Sequence, residues 1–515
     1  MFSEVDESSS PPRVIVPRAY NAAVDFVDRH VVQGRGDRIA FVDDTRSITY
    51  AALADRVARV GSMLRALGMH PEQRVAMCMQ DDIDFPTIFW GAMRAGMVPV
   101  PLNTLLTEDD YAFMLADSRA RVVVVSDVLF DKVGPAALRC APPPVLVRAS
   151  EIESRLGERD EHAAATSCDD TAFWLYSSGS TGRSKGAVHL HSHLVQTAAL
   201  YGRGVLGIRE DDVVFSAAKL FFAYGLGNAM TFPMHVGATA ILMRERPTPV
   251  AVMRVLEMIA PTIFGGVPTL FASMLADPAL AASNGSPRLR VSLSAGEALP
   301  KHVGEKWKSR FGTDILDGIG STEMLHIFLS NRHEDVRYGT SGKPVPGYAL
   351  KIVDDAGEPV ADGEEGALWV SGPSSCTSYW NQRERSLATF VGTWTRTGDR
   401  YVRDADGYYT YGGRADDMLK VGGIWVSPFE VESALADHDA VLEAAVVGHA
   451  DHDGLVKPRA FVVLKREDDA CEALEAALKA HVKSVLAPYK YPRWIVFTTE
   501  LPKTATGKIQ RFKLR

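Results

Sequence analysis

The sequence has few of the features that mark secreted, metal-binding or membrane-spanning proteins. Its 515 residues include five cysteines, at positions 78, 140, 168, 376 and 471, and no two of them form a Cys-x-x-Cys pair. Scattered cysteines of this kind are typical of reduced thiols in a cytoplasmic protein. No apolar run reaches the ~20 residues that a spanning helix needs, and the best candidate, 231–243, is interrupted by Pro233 and His235. We therefore expect a cytoplasmic protein with no membrane partner.

An excess of positive charge is also lacking. The net charge is −8 at pH 7, which excludes a general nucleic-acid binder. Residues 1–12 are acidic and rich in Ser and Pro, without the basic and apolar regions of a signal peptide. We expect a disordered tail over residues 1–20. A chain of 515 residues is too long for one core, so two or more domains are expected.

Hydrophobic spacing predicts an α/β architecture. Apolar residues recur every three or four positions from Leu53 to Leu67, which indicates an amphipathic helix with Thr49 as its cap and Gly68 as its end. Strands that alternate with helices favour a sheet of largely buried strands. The other predicted elements are strands at 74–79, 97–102, 121–126, 441–447 and 459–464, and helices at 84–94 and 470–486.

A loop rich in Gly and Ser follows the apolar segment 173–175. Residues 176–186 read Tyr-Ser-Ser-Gly-Ser-Thr-Gly-Arg-Ser-Lys-Gly. Glycines let backbone N–H groups turn inward, hydroxyls add donors, and Lys185 supplies a positive charge, a combination suited to phosphate. The P-loop of nucleotide hydrolases has Gly-Lys before Ser or Thr, whereas here Lys185 precedes Gly186, so that motif is absent. A flexible linker is the alternative, but we interpret the loop as a polyphosphate site.

The same loop resembles the signature of the acyl-adenylate-forming superfamily, which includes acyl- and aryl-CoA ligases. Ser184 stands where that family usually has proline, which frees one φ angle without removing a phosphate ligand. The segments 294–299 and 317–323 resemble the family's adenine-binding segment and its Tyr-Gly-x-Thr-Glu motif. With the motifs described next, the resemblance implies ATP or AMP contacts from Ser177, Ser178, Gly179, Ser180, Thr181, Gly182, Lys185, Gly296, Glu297, Ala298, Asp317, Gly318, Ile319, Gly320, Ser321, Thr322, Asp399 and Arg414.

The resemblance also implies individual roles. Glu323 is expected to bind Mg²⁺, which prefers one or two carboxylates together with phosphate oxygens. Asp317 is expected to accept from the adenine amino group, while Ile319 replaces the tyrosine that commonly stacks on adenine. Asp399, in Thr-Gly-Asp, would bind the ribose hydroxyls, and Arg414 would meet the ribose or a phosphate.

The C-terminal motifs of the family are present as well. Asp416 matches the hinge of the family. We therefore expect a large domain of sheets flanked by helices over residues 21–415, followed by a small, mobile α+β domain over residues 416–515. Gly422 and Gly423 would line the CoA tunnel, where only glycine permits so close an approach. Lys508, in the closing Thr-Gly-Lys, would bridge the acyl carboxylate and the α-phosphate. The implied catalytic residues are Lys508, Glu323, Thr181 and Lys185.

An aromatic segment, 219–227, predicts a slot for a planar ring. Aromatics beside Ala and Gly either pack into the core or form the walls of such a slot. Phe222 holds the place of the family residue that gates the acyl tunnel. His326 follows Glu323 by three residues, one turn if helical, and faces either the substrate or the surface. The expected pocket residues are Phe222, Ala223, Tyr224, Gly225, Gly318, His326 and Ile327.

His189, His191 and His193 alternate and would share one face of an extended strand. Ser192 begins an apolar helical pattern that breaks such a strand, and no acidic or Cys partner lies nearby. A metal site here is therefore disfavoured.

The amino-acid sequences of segments 215–228 and 317–328 are similar to those of benzoate–CoA ligases and their aminobenzoate and hydroxybenzoate relatives. The implied reaction joins a small aromatic acid to CoA, with ATP and Mg²⁺, through an aryl-AMP intermediate. One alternative is an enzyme that loads the pantetheine of a carrier protein, and another is a non-catalytic binder of nucleotide and aryl acid. An oxidative, light-emitting relative is disfavoured because the pocket is small. Ring substitution, pathway and oligomeric state stay open, a homodimer being the common arrangement of soluble enzymes.

Overall fold

The structure is a computed structural model. It describes residues 1–179, 182–281, 283, 285–415, 417–421, 424–452, 456–486, 490–503 and 509–515.

Strands make up much of the larger, N-terminal part. They are Glu4–Asp6 (β1), Arg13–Ile15 (β2), Ile39–Val42 (β3), Ser47–Thr49 (β4), Arg74–Cys78 (β5), Val98–Pro101 (β6), Val122–Val125 (β7), Val145–Arg148 (β8), Thr171–Gly179 (β9), Gly182–Leu190 (β10), Val213–Ser216 (β11), Thr239–Ile241 (β12), Ile263–Gly266 (β13), Val291–Ser294 (β14), Ile315–Gly320 (β15), Ile327–Ser330 (β16), Lys343–Pro344 (β17), Ala349–Val353 (β18), Glu365–Ser371 (β19), Ser378–Tyr379 (β20), Phe390–Val391 (β21), Trp394–Arg403 (β22) and Tyr409–Arg414 (β23).

Helices alternate with these strands. The α-helices are Arg29–Val32 (α1), Tyr50–Ala66 (α2), Asp84–Arg94 (α3), Glu108–Ser118 (α4), Phe130–Leu138 (α5), Ile152–Arg155 (α6), His191–Thr197 (α7), Ala223–Leu226 (α8), Phe232–Val236 (α9), Pro249–Ile259 (α10), Pro268–Ala276 (α11), Lys301–Phe311 (α12) and Arg383–Thr389 (α13). Three further segments are π-helical: Val24–Asp28, Ala198–Arg203 and Gly227–Thr231.

The smaller, C-terminal part has its own elements and its own core. These elements are Leu419–Val421 (β24), Ile424–Val426 (β25), Pro428–Ala436 (α14), Val441–Ala450 (β26), Val456–Leu464 (β27), Glu472–Val485 (α15) and Trp494–Phe497 (β28). Most of its buried apolar residues, from Leu419 to Ile495, form one cluster, and Ala445, Val463 and Leu501 form a smaller one. A large domain followed by a smaller α+β domain confirms the predicted fold class. The boundary between 415 and 416 stays a prediction.

Two sheets dominate the large domain. A four-stranded parallel sheet has the order β6-β5-β7-β8. A nine-stranded sheet has the order β17-β16-β15-β14-β13-β11-β12-β3-β4, and its central strands, from β3 to β15, are parallel. Ligands of parallel sheets bind beyond the carboxyl ends of the strands. The segments that follow β13, β14 and β15 are therefore the first place to look for a site.

Smaller antiparallel sheets complete the fold. The β9–β10 hairpin pairs with β20 through β10, while β18, β19, β21, β22 and β23 form a separate sheet. Within the described parts of the chain, no helix is both long and apolar enough to cross a bilayer.

The elements predicted from local patterns are confirmed. Helix α2 begins after Thr49, whose hydroxyl accepts from the Ala52 N–H at 3.2 Å, and Gly68 follows its end with a φ of 80°. Helix α3 has the predicted bounds. The predicted strands differ from the observed ones only by one to three residues at their ends.

The prediction of a disordered tail over residues 1–20 is wrong. Strand β1 pairs with β2 in an antiparallel hairpin. The buried carboxylate of Asp25 holds this hairpin, because it accepts from the hydroxyls of Ser3 at 2.5 Å and Tyr20 at 2.7 Å and pairs with Arg29. The acidic, Ser/Pro-rich composition of the segment did not indicate this order, because Asp25, which stabilises the hairpin, lies outside it.

Candidate active site

Lys185, Glu323 and Tyr379 form a compact charged triangle. Lys185 lies on β10 and Tyr379 on β20, the strand paired with it, while Glu323 follows β15. The Lys185 Nζ lies 3.1 Å from Glu323 Oε1 and donates to the Tyr379 hydroxyl at 2.7 Å, and that hydroxyl donates to Glu323 Oε1 at 2.7 Å. Burial alone would raise the pKa of Glu323, but the Lys185 charge and the Tyr379 hydrogen bond outweigh it and hold the pKa below its usual value. Glu323 is therefore an ionised carboxylate in a largely buried place.

The described ends of the predicted phosphate loop belong to the paired strands β9 and β10. The strands that lead into and out of it carry Ser177 and Lys185, which are cross-strand partners. The hydroxyl of Ser177 is buried and has no hydrogen-bond partner among the described residues. A hydroxyl and an ammonium group on neighbouring positions of paired strands suit an anion.

The predicted adenine site lies where β14 ends beside the middle of β15. Ser294 and Asp317 are register partners across these parallel strands. Burial raises the pKa of Asp317 to about 8. Its Oδ2 accepts a long bond, 3.5 Å, from the Leu299 N–H, and its Oδ1 has no geometrically sound hydrogen-bond partner in the described part of the chain. Gly296, with a φ of 97°, turns the chain between Ser294 and Leu299. The result is a buried oxygen free to accept from a ligand amino group.

Glycines let the 317–323 segment pack closely. A Cβ on Gly318 would lie 2.7 Å from the Leu329 carbonyl oxygen, and one on Gly320 would lie 2.5 Å from the His326 carbonyl oxygen. Ile319 between them is partly buried against the main apolar core.

The next residues form a turn after β15. The Ser321 hydroxyl accepts from the Met324 N–H at 3.2 Å, and the Thr322 carbonyl accepts from His189 Nε2 at 2.8 Å. These contacts fix the backbone that carries Glu323.

Asp399 and Arg414 are brought together by β22 and β23. They are register partners, and Arg414 Nη1 lies 3.2 Å from Asp399 Oδ1 and donates to the Thr397 carbonyl at 3.1 Å. A Cβ on Gly398 would lie 2.8 Å from Arg414 Nη2. The separate Thr-Gly-Asp and Gly-Arg motifs thus form one polar pair.

Part of the aromatic segment 219–227 is accessible to solvent, and we call residues 222–224 the aromatic wall. Phe222, Ala223 and Tyr224 are half-buried, whereas their neighbours on both sides are buried. The Tyr224 hydroxyl lies 3.0 Å from the carbonyl oxygens of Gly266 and Leu293, at the ends of β13 and β14. Gly225 has no room for a side chain, because a Cβ would lie 2.1 Å from the Lys219 carbonyl oxygen. The segment therefore meets the nine-stranded sheet at the same edge as Asp317.

His326 contacts this wall from the other side. It does not lie on a helical turn: Leu325 has a φ of 65° and β16 begins at Ile327, so the helical alternative is wrong. Nor is it a surface histidine, since it is 3% exposed. Its Nε2 donates to the Tyr224 carbonyl at 3.2 Å. Ile327 is buried in the core beside it.

The three alternating histidines do not share one strand. His189 lies on β10, whereas His191 and His193 lie on α7. His189 Nδ1 lies 3.2 Å from His193 Nδ1, and the His189 ring stacks on Phe173. Among the described residues, no group of three or more His, Cys, Asp or Glu side chains is arranged for a metal.

Several predicted residues lie outside the described part of the chain. These are Ser180, Thr181, Asp416, Gly422, Gly423 and Lys508; for Ser178, Gly179 and Gly182 only the backbone is described.

Residues close in sequence to Lys508 and Asp416 are described. Arg511 Nη2 lies 2.7 Å from Glu432 Oε2 and its Nη1 lies 3.4 Å from Asp417 Oδ2. This ion pair joins the C-terminal tail to α14 and to the residue after the predicted hinge.

Sequence reasoning missed Tyr379 and Asp81. Tyr379 lies 194 residues from Lys185 and carries no local signal of its role. Asp81, after β5, accepts from the Leu220 N–H at 3.2 Å and so fixes the start of the aromatic segment. The available signal was a cluster of carboxylates, Asp81, Asp82 and Asp84, directly after a buried strand.

Comparisons with known proteins identify the family of the chain. The AMP-binding enzyme family matches residues 28–380, and the AMP-binding enzyme C-terminal domain matches residues 430–508. The chain therefore belongs to the AMP-binding enzyme family, and the resemblance found in the sequence is confirmed. The family uses ATP.

Particular relatives span the whole chain. The chain is 59% identical to the benzoate–CoA ligase of Thauera aromatica, over 100% of this chain and 99% of that protein. It is 55% identical to the 4-hydroxybenzoate–CoA/benzoate–CoA ligase of Rhodopseudomonas palustris, over 97% and 94%. The crystal structure of the anthranilate–CoA ligase AuaEII in complex with anthranoyl-AMP is similar with a TM-score of 0.94 at 41% identity, covering 97% of each chain.

Proposed function

We propose that this protein converts a benzoate-type acid, ATP and CoA into an aryl-CoA thioester, AMP and pyrophosphate. It is an AMP-forming acid–thiol ligase. The observation that carries the proposal is the convergence at one sheet edge of an ionised Glu323 held by Lys185, a buried acceptor on Asp317, and the aromatic wall around Tyr224. Three relatives with the same architecture act on benzoate, 4-hydroxybenzoate or anthranilate by their names.

In the first half-reaction, an oxygen of the aryl carboxylate attacks the α-phosphorus of ATP. The bond from that phosphorus to the bridging oxygen breaks, and pyrophosphate leaves. Lys185 and the hairpin loop hold the phosphates, since phosphoryl transfer depends mainly on positioning and charge stabilisation. Glu323 is the carboxylate that would hold Mg²⁺, which supplies positive charge to the phosphate oxygens.

In the second half-reaction, the CoA sulfur attacks the carbonyl carbon of the aryl-adenylate. The carbon–oxygen bond to AMP breaks and the thiol proton passes to solvent. We propose that the small domain rotates about Asp416 between the two steps, withdrawing Lys508 and presenting Gly422 and Gly423 to CoA. Its separate apolar core is consistent with a rigid unit that moves.

The proposal is tested by measuring AMP release with ATP, Mg²⁺ and CoA on benzoate, 2-aminobenzoate, 4-hydroxybenzoate and hexanoate. CoA-dependent release on an aryl acid, with hexanoate poor, is expected. Pyrophosphate release without CoA-dependent turnover would instead indicate a carrier protein as acceptor. No turnover on any acid would refute the proposal.

The role of Lys508 needs its own variant. Lys508→Ala is expected to lose pyrophosphate release yet still convert added aryl-adenylate and CoA to the thioester. Loss of both half-reactions together would contradict the assignment. Size-exclusion chromatography tests the expected homodimer.

A further inference from the structure

Asp81 is a buried carboxylate that links the two main sheets. It follows β5 of the four-stranded sheet and is 4% exposed. Both of its oxygens accept from the N–H of Leu220, Oδ1 at 3.3 Å and Oδ2 at 3.2 Å. Leu220 is fully buried and follows β11 of the nine-stranded sheet. Because β5 and β11 both pair with parallel neighbours, this bond joins the carboxyl ends of the two sheets, where ligands bind.

Lys219 ties the same segment to the end of another strand. Its Nζ donates to the carbonyl oxygens of Glu245 at 2.9 Å and Arg244 at 3.4 Å, and also to that of Met243. These carbonyls follow β12, the strand beside β11. Burial raises the pKa of Asp81 to about 6, although the Lys219 charge lowers it, so the carboxylate is ionised at pH 8. We call Asp81 and Lys219 the clamp.

The backbone that the clamp holds carries the aromatic wall. The Lys219 carbonyl accepts from the Phe222 N–H at 3.1 Å, which fixes the first residue of the wall. A Cβ on Gly225 would lie 2.1 Å from the Lys219 carbonyl oxygen and 2.5 Å from that of Ala218. Helix α8, which contains the rest of the wall, therefore packs on this backbone without a gap. Because protein interiors are close-packed, a shift of this backbone would shift the wall.

The other end of the wall has its own anchor. The Tyr224 hydroxyl lies 3.0 Å from the carbonyl oxygens of Gly266 and Leu293, which belong to the nine-stranded sheet. A wall held at both ends keeps its distance from the rest of the pocket. A pocket of fixed width favours a flat aromatic ring over a puckered ring, which is thicker.

We propose that the clamp sets the selectivity of the enzyme for a planar ring by holding the aromatic wall in place. This inference rests on the proposed function and adds what controls its substrate class. Asp81 and Lys219 are positioning residues, since they act through the backbone of residues 219–222. Without the Asp81 acceptor, the buried Leu220 N–H would be unpaired, and the backbone would move to find another acceptor. A misplacement of about 1 Å can cost about a hundredfold in rate.

The test compares two acids with the same number of ring carbons and different ring shapes. The selectivity ratio is kcat/KM for benzoate divided by kcat/KM for cyclohexanecarboxylate, whose saturated ring is puckered, measured by AMP release at pH 8. A loss of folded protein lowers both values equally and so cancels in the ratio. The electronic difference between the two acids is the same in every variant. We expect a ratio above about tenfold in the unaltered protein.

Three variants of the clamp give different expected ratios. Asp81→Leu removes the acceptor at similar side-chain volume and is expected to lower the ratio about tenfold. Asp81→Asn keeps an amide oxygen that accepts from the Leu220 N–H, so the ratio should stay within about threefold of the unaltered value. Lys219→Met loses the bonds to the carbonyls that follow β12 and should lower the ratio by about threefold or more. It tests the clamp should Asp81→Leu not fold.

Asp212→Leu is the matched control for general damage. Asp212 is also 4% exposed, accepts from the Arg209 N–H at 2.8 Å and pairs with Arg290. It precedes β11, however, whereas the clamp acts on the segment that follows this strand. The variant should destabilise the protein and leave the selectivity ratio within about twofold of the unaltered value.

Three results would overturn the inference. They are a ratio near one in the unaltered protein, an unchanged ratio in both Asp81→Leu and Lys219→Met, and equal losses in Asp81→Leu and Asp81→Asn. In each of these cases, benzoate turnover by the unaltered protein would leave the proposed function standing. No turnover of any aryl acid would refute the proposed function and this inference together.

Discussion

The raised pKa of Asp317 is expected to make the free energy of unfolding of the protein depend on pH. Burial raises the pKa of this carboxyl from 3.8 to about 8, so the folded protein keeps a proton that the unfolded chain releases above pH 4. Where the folded state binds more protons, stability falls as the pH rises. The loss begins near pH 4 and ends near pH 8. Asp317→Asn, which cannot ionise, removes this dependence.

The magnitude follows from linkage. One proton held only by the folded state costs about 1.4 kcal/mol per pH unit. Between pH 5.5 and 7.5 the stability of the unaltered protein should therefore fall relative to Asp317→Asn by about 2–3 kcal/mol. In a domain of this size that corresponds to a change of several degrees in the difference between the two melting temperatures.

Thermal unfolding at pH 5.5, 6.5 and 7.5 measures this difference. Asp212→Asn is the matched control, because burial of Asp212 is outweighed by Arg290 and Thr262, which hold its pKa below the usual value. Its carboxyl is ionised in both states over this range, so the cost of its substitution should not vary with pH. A melting difference for Asp317→Asn that is equally flat would refute the protonated state of Asp317.

Three further predictions concern contacts outside Asp317. Tyr379→Phe removes a hydrogen bond to the ionised Glu323 and should lower kcat/KM for pyrophosphate release about tenfold or more; a change below twofold would contradict the triangle. Arg511→Met leaves Glu432 without its cation and should destabilise the small domain by about 3 kcal/mol. Hydrogen exchange in α14 should then be faster than in the unaltered protein, and an unchanged rate would contradict this prediction. Ser3→Ala should speed proteolysis within residues 1–16, because the bond to Asp25 holds the hairpin; cleavage of the unaltered protein at the rate of a free peptide would refute the anchor.

Local patterns predicted the parts of this fold that depend on neighbours in sequence. Helix α2 followed from the spacing of apolar residues and from the Thr49 cap, both contained in one short segment. The ligand roles of residues in short motifs, such as Asp317 and Asp399, came from the family resemblance and stay predictions.

What the sequence could not predict depends on distant partners. Tyr379 acquires its role only when β20 pairs with β10, which brings it to Lys185. The hairpin of β1 and β2 is ordered by Asp25, a residue outside the predicted tail. The burial of His326 likewise required the rings of Tyr201 and Phe232, which lie far away in the chain.

The site holds two buried carboxylates in opposite protonation states, and the difference comes from their neighbours. Glu323 stays ionised because Lys185 lies 3.1 Å away and Tyr379 donates to it. For Asp317, burial outweighs the hydrogen bonds that the carboxyl accepts, raises its pKa to about 8 and keeps it protonated near neutral pH. When the surroundings of two titratable groups shift their pKa values apart, the two groups usually have different roles in the site. A negative charge is thus available where a cation and phosphates are expected, and a neutral polar group where an uncharged heterocycle is expected.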